Sequence, residues 1–187
     1  MKRLFVAVEV QLSPSNTQLL TQLKQELCLD NVVWVENKLH HLTLRFLGQT
    51  PETLIPPLKE SISVVASQTD SFSLYVDKLG VFGSKHSPEI IWLGFEKFEL
   101  FHQLFLQLES HLLEIGFDPN HGNFVPHITL GRIKTIQNKK RFWQLINQLQ
   151  PIEKQELKID SLLLIRSILT SQGPIYKTLQ RFPFRKS

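Results

Sequence analysis

Hydrophobic and polar residues change period several times along the chain. Residues 3–10, RLFVAVEV, are a short apolar run that reads as a strand. Residues 13–27 then place leucines at 19, 20, 23 and 27 behind a Ser-Pro opening, the spacing and the start signal of a helix. Two more strands are predicted at 32–35 (VVWV) and 41–47 (HLTLRFL), the second closed by Gly48. Residues 54–67 predict a helix with Pro56 and Pro57 in its first turn, where proline is tolerated. Residues 71–83 and 89–95 read as a strand pair around the polar loop SKHSP. The clearest helix is 98–115, where Leu100, Phe101, Leu104, Phe105, Leu108, Leu112 and Ile115 make one stripe and Gly116 ends it. A strand at 127–133, a helix at 138–149, and the closing strands LKIDSLLLIRSIL and IYKTLQRFPF complete the chain. Strands that mix with helices and recur in hairpin-like links predict an α+β fold of mainly antiparallel sheet.

Composition narrows this picture. With 187 residues, 42% hydrophobic and 20% charged, one domain over 1–187 is expected, with enough apolar residues for a core. No apolar run approaches the roughly 18 residues of a membrane span. The N-terminal run contains Glu9 and lacks a small-residue cleavage site, so it reads as a first strand and not as a signal peptide. The single cysteine, Cys28, excludes an intramolecular disulfide and suggests a reducing, cytoplasmic setting. Its place at the end of a helical run predicts a small packed side chain. A net charge of +4 suits an anionic partner such as RNA, although the tail RFPFRKS supplies part of the excess as a solvated basic end.

The chemical signal is a repeat. HLTLRFLG begins at residue 41 and HITLGRIK at residue 127, so two His-x-Thr-Leu copies stand 86 residues apart. On a strand, side chains two apart share a face. His41 and Thr43 therefore project together, with Arg45 continuing the alternation, and Leu42, Leu44 and Phe46 lie behind. His127 and Thr129 share a face in the second copy, backed by Ile128 and Leu130. A pseudo-twofold arrangement sets two imidazoles and two hydroxyls across a cleft. That suits displacement at phosphorus, because one histidine can act as base while the other acts as acid. The hydroxyls and a nearby arginine can hold the non-bridging oxygens. In this register His40, next to His41, points away into local packing.

The motifs, together with RLFVAVEV, LHHLTLRFLG, GVFG…IIWLG, GFDPN…FVPHITLGR and LLLIRSIL…GPIYKTLQRFPF, span almost the whole chain in order. In them the chain resembles the 2H phosphoesterase superfamily. More closely it resembles the RNA 2′,3′-cyclic phosphodiesterases, also described as 2′-5′ RNA ligase-like proteins. That resemblance implies a bilobal α+β fold, two pseudo-symmetric halves around a central cleft. It implies metal-independent, cofactor-free opening of RNA 2′,3′-cyclic phosphates to 2′-phosphomonoesters by a cytoplasmic monomer that acts on RNA ends, tRNA fragments among them. It assigns His41 as proton donor to the departing 3′ oxygen and His127 as proton acceptor from water. It assigns Thr43, Thr129 and Arg132 to the phosphate, and Phe46 to base stacking. Arg132 and Phe46 each stand five residues after a motif histidine, an odd offset that demands a bulge or strand end near Gly131 and Gly48. Without such a break, alternation predicts a core Phe46.

Other residues receive plain structural readings. His102 and His111 belong to the long helix, His86 to a turn, and His121 to a loop before the second motif. Trp34 and Trp92 read as core, Trp143 as helical, and Tyr176 and Arg166 as members of closing strands. Neither His/Cys/Asp/Glu ligand spacing nor a glycine-rich phosphate loop is present. Two further functions fit the same residues. One is an enzyme for a small cyclic nucleotide, an ADP-ribose cyclic phosphate or a 2′-5′ linkage. The other is a non-catalytic RNA-end binding module, which needs no matched acid and base.

Overall fold

A computed structural model describes residues 1–171 and 173–185. The tail residues Lys186 and Ser187, counted above in the basic end, lie outside them. Within the described residues, nine strands and four α-helices run in the order β1 (Lys2–Glu9), α1 (Pro14–Glu26), β2 (Asn31–Trp34), β3 (His41–Thr50), α2 (Ile55–Gln68), β4 (Phe72–Gly83) and β5 (Pro88–Phe95). They continue with α3 (Glu99–Glu114), β6 (His127–Thr135), α4 (Lys139–Gln148), β7 (Gln155–Ile159), β8 (Ser161–Thr170) and β9 (Gly173–Pro183). Every strand pair within the two sheets is antiparallel, and the sheets have the orders β3-β1-β8-β9 and β2-β6-β5-β4-β7.

Local chemistry explains the element ends. The Ser13 hydroxyl accepts from the Asn16 amide, and Pro14 begins α1. Gly116 takes φ +90° just beyond α3, a conformation that costs glycine nothing. Leu100, assigned above to the buried stripe of α3, is 52% exposed, although its neighbour Phe101 is fully buried, so the stripe begins at Phe101. Cys28, expected to pack, is exposed, since α1 ends at Glu26 and the chain turns outward there. Gly48 does not close β3. With φ +67° it sits beside a register break, and pairing with β1 continues to Thr50. The segment read as one closing strand divides at Asp160. β7 pairs with β4 in the second sheet, while β8 pairs with β1 in the first.

Each sheet therefore mixes early and late segments of the chain. Helices are exchanged in the same way. α2 packs on β8 and β9, and α3 on α2 and β3, so both lie against the first sheet. α1 is tied to β7 by Asn16–Gln155 and to α4 by Arg141–Glu26, on the second. One apolar cluster joins Leu4, Leu42, Phe101 and Leu108 to Leu93, Ile128 and Phe142 across both lobes. A second, smaller group of Phe5, Ala7, Leu163 and Ile165, with Tyr176 against it, lies on the other face of the first sheet, the face turned to the cleft.

Candidate active site

Two bulges build the site. In β3 the register with β1 jumps from Thr43↔Ala7 to Arg45↔Val6, leaving Leu44 unpaired. In β6 it jumps from Thr129↔Trp92 to Gly131↔Ile91, leaving Leu130 unpaired. An extra residue resets which face the following side chains occupy. His41, Thr43 and Phe46 consequently share the cleft face of the first sheet, and His127, Thr129 and Arg132 that of the second. The bulges sit at Leu44 and Leu130, at the leucine that ends each His-x-Thr-Leu motif.

The same resets overturn two expectations. Arg45 does not continue the motif face. It turns toward α3, where Nε meets Glu109 at 2.7 Å and Nη2 donates to the Asp118 carbonyl at 2.6 Å. Phe46 is not core, being 46% exposed.

His41, Thr43, His127, Thr129, Arg132 and Tyr176 line one hollow of about 220 Å³, with Glu36, Leu39 and Val33 at its wall. Phe46 lies outside it, farther along the first sheet. Larger hollows elsewhere, such as the one of about 720 Å³ around Glu9, Lys38 and Arg181, contain neither motif.

The two imidazoles are held alike. His41 Nδ1 stands 2.7 Å from the Leu39 carbonyl, and His127 Nδ1 stands 2.8 Å from the Val125 carbonyl. A carbonyl oxygen only accepts, so each Nδ1 carries the hydrogen and each Nε2 is left to gain or lose a proton in the cleft. Aromatic rings brace both. Phe5 lies 5.0 Å and Tyr176 5.2 Å from His41, the latter edge-on. Phe82 lies 4.8 Å edge-on to His127, with Trp92 at 6.5 Å.

Burial pushes the His41 imidazole below its ordinary value of 6.5, and the charges of His127 and Arg132 add to this against the Leu39 hydrogen bond. His127 is lowered in the same direction, by burial first and then by Arg132, against its bond to Val125. The Tyr176 phenol is raised by burial and pulled back by Arg132 and Arg3. His40 stands apart. It is 3% exposed and its pKa is lowered to about 4, chiefly by burial, so it is a neutral packed ring near pH 7.

Sequence reasoning left Tyr176 unplaced and Trp92 in the core. Both stand behind a motif histidine. Trp92 is half-buried and lies across Gly80 and Gly94, where an added Cβ would fall 2.2 Å and 2.4 Å from its ring. Glycine at both positions facing one tryptophan was the available sign. His102 stacks on Phe124 at 5.5 Å, His111 lies 3.8 Å from Glu114, and His86 and His121 are exposed, all outside the hollow. Among the described residues no group of three or more His, Cys, Asp or Glu is placed to hold a metal ion. No helix among them is long and apolar enough to cross a membrane.

The sequence model of the family described as LigT like Phosphoesterase matches residues 7–92 and 96–176, and each segment contains one motif. The chain belongs to the LigT-like phosphoesterases. An RNA 2′,3′-cyclic phosphodiesterase of Thermotoga maritima is 35% identical over 151 residues, 81% of this chain and 79% of that protein. One of Methanothermobacter thermautotrophicus is 31% identical over 151 residues, 81% of this chain and 82% of that protein. A crystal structure of a Thermus thermophilus protein superposes with TM-score 0.79 at 25% identity, covering 98% of each chain. Escherichia coli LigT complexed with 3′-AMP gives TM-score 0.74 at 22% identity over 98% of each chain, which shows a shared fold. This LigT-like chain thus carries its two motifs on a fold common to the family, as an α+β pair of antiparallel sheets with helices.

Proposed function

We propose that this LigT-like phosphoesterase is an RNA 2′,3′-cyclic phosphodiesterase, opening terminal cyclic phosphates to 2′-phosphomonoesters. The observation that carries this is the pair of Nδ1-anchored histidines in one hollow with two threonine hydroxyls and an arginine. The curated relatives of the same name support the substrate class.

In-line attack on the cyclic phosphorus requires a base at the water and an acid at the opposite, departing oxygen. His127 Nε2 takes the proton from water as the new P–O bond forms. His41 Nε2–H gives its proton to the 3′ oxygen as that P–O bond breaks. One proton enters the protein and one leaves it, so the two rings finish with their protonation exchanged. Thr43 and Thr129 donate to the non-bridging oxygens, and Arg132 neutralises the charge that grows there. Phe46, nearly half exposed with Arg3 over one side of its ring, offers its other side to a base farther along the first sheet.

The test is a short RNA with a 2′,3′-cyclic end, its product resolved as a 2′- or a 3′-phosphate. A 2′-phosphate is expected, with turnover unaffected by EDTA. His41→Ala and His127→Ala should each lower turnover by roughly 10²–10⁴-fold, whereas His40→Gln keeps most of it. A 3′-phosphate product reverses the polarity. RNA binding without turnover makes the protein a binding module.

A further inference from the structure

The cleft face of the first sheet extends beyond the hollow. Past Thr43 it carries Phe46, and on the neighbouring strand Arg3, whose guanidinium lies over the Phe46 ring 4.8 Å from its centroid. Arg3 follows the alternation of Phe5, the residue that touches His41 at 5.0 Å. Two strand residues span about 7 Å, a length on the scale of one nucleotide step.

The charges around it are unusual for this protein. Arg45, Arg141, Arg181 and Arg185 each hold a carboxylate. Among the described residues Arg3, Arg132 and Arg166 have none within ion-pairing distance, and of these Arg3 and Arg132 lie on the cleft faces of the two sheets. Both act on Tyr176 electrostatically, so their positive charges reach the same ring from the two sheets. A guanidinium held over an aromatic face is attracted to it by its charge and leaves N–H donors for a phosphate. Phe46, nearly half exposed, supports the guanidinium in place of an acidic partner.

We propose that Arg3, carried on Phe46, binds the 5′-phosphate of the nucleotide whose 2′,3′-cyclic phosphate is opened. This rests on the cyclic phosphodiesterase reading of the hollow. With the reacting phosphate at Arg132, the 5′-phosphate of the same nucleotide lies one sugar away, and Arg3, on the cleft face of the first sheet, is the cation assigned to it. A free nucleoside 2′,3′-cyclic phosphate lacks that group, so Arg3 distinguishes the end of a chain from a mononucleotide.

The test compares a nucleoside 2′,3′-cyclic phosphate with the same compound carrying a 5′-phosphate. For the wild-type protein the ratio of kcat/KM values should favour the 5′-phosphorylated compound by about tenfold, the scale of one charge-assisted hydrogen bond. Arg3→Gln should bring the ratio close to one, and Arg3→Lys, which keeps the charge without the planar stack, should leave it between. A wild-type ratio near one overturns the inference without any variant. So does an Arg3→Gln protein that is slower on both compounds with the ratio unchanged, because Arg3 would then only brace Phe46. Turnover of neither compound by the wild-type protein overturns the underlying reading, and this inference with it.

Discussion

His40 and His41 are adjacent in sequence and opposite in circumstance. His40 sits in the interior, 3% exposed, and burial keeps it neutral against a backbone contact at Asn37. His41 has one nitrogen committed to a carbonyl and the other facing the cleft. The lowered pKa values of His41 and His127 make a prediction about pH. An acid must be protonated, so activity falls as pH rises through its pKa. A base must be free, so activity falls as pH drops through its own. The profile of kcat/KM reports the free protein, and both values there lie below 6.5. The kcat/KM maximum is therefore expected below pH 6.5. The kcat profile should shift upward, because a bound phosphate anion stabilises the imidazolium. A kcat/KM maximum above pH 7 would contradict burial as the dominant influence on these rings.

At the scale of elements, the bulged strand is the device that matters. A regular β6 would place His127 and Arg132 on opposite faces. The extra residue at Leu130 brings both to the cleft, and Leu44 does the same for His41 and Phe46. The strands behind the motif histidines are shaped to match, since Gly80 and Gly94 leave room for Trp92 against His127. Gly94→Ala would set a methyl group 2.4 Å from the indole. The ring must move, at a cost of about 1–3 kcal/mol for overpacking, and the support of His127 moves with it. We expect a lower melting temperature together with a fall in kcat. A variant with wild-type melting and turnover would show that Trp92 does not position the histidine.

For the whole molecule, the question is how two lobes hold one site. Arg45 and Glu109 form a little-exposed ion pair between β3 and α3, their side chains 12% and 13% exposed. The same two residues fasten the chain that leads to the second motif, since Arg45 donates to the Asp118 carbonyl and Glu109 accepts from the Asn120 amide. The first-motif strand is thus tied to the approach to His127. Glu109→Gln leaves the guanidinium without its carboxylate, which for a largely buried pair costs about 3 kcal/mol. Denaturant unfolding should show that loss. Turnover under folding conditions should fall as well, because residues 118–126 lose their anchor. Arg45→Gln combined with Glu109→Gln should recover part of the stability, and the absence of any recovery would assign the loss to something other than the pair.

Periodicity and the repeated His-x-Thr-Leu were enough to determine the α+β class, nearly all the elements, and the two histidines and two threonines that meet in the hollow. These are local properties. Side-chain alternation and helical spacing depend on neighbours a few residues away, and the repeat is visible in the letters themselves. Only the tertiary structure decided where the alternation breaks, because a bulge is defined by the strand opposite. Phe46 therefore emerged exposed and Arg45 turned inward, against the simple pattern. Partner choice also belongs to the assembled sheets. β7 and β8, separated by one residue, join different sheets, and Tyr176 and Trp92 reach the histidines from strands distant in sequence. Nothing in a strand's own residues records which strand will lie beside it.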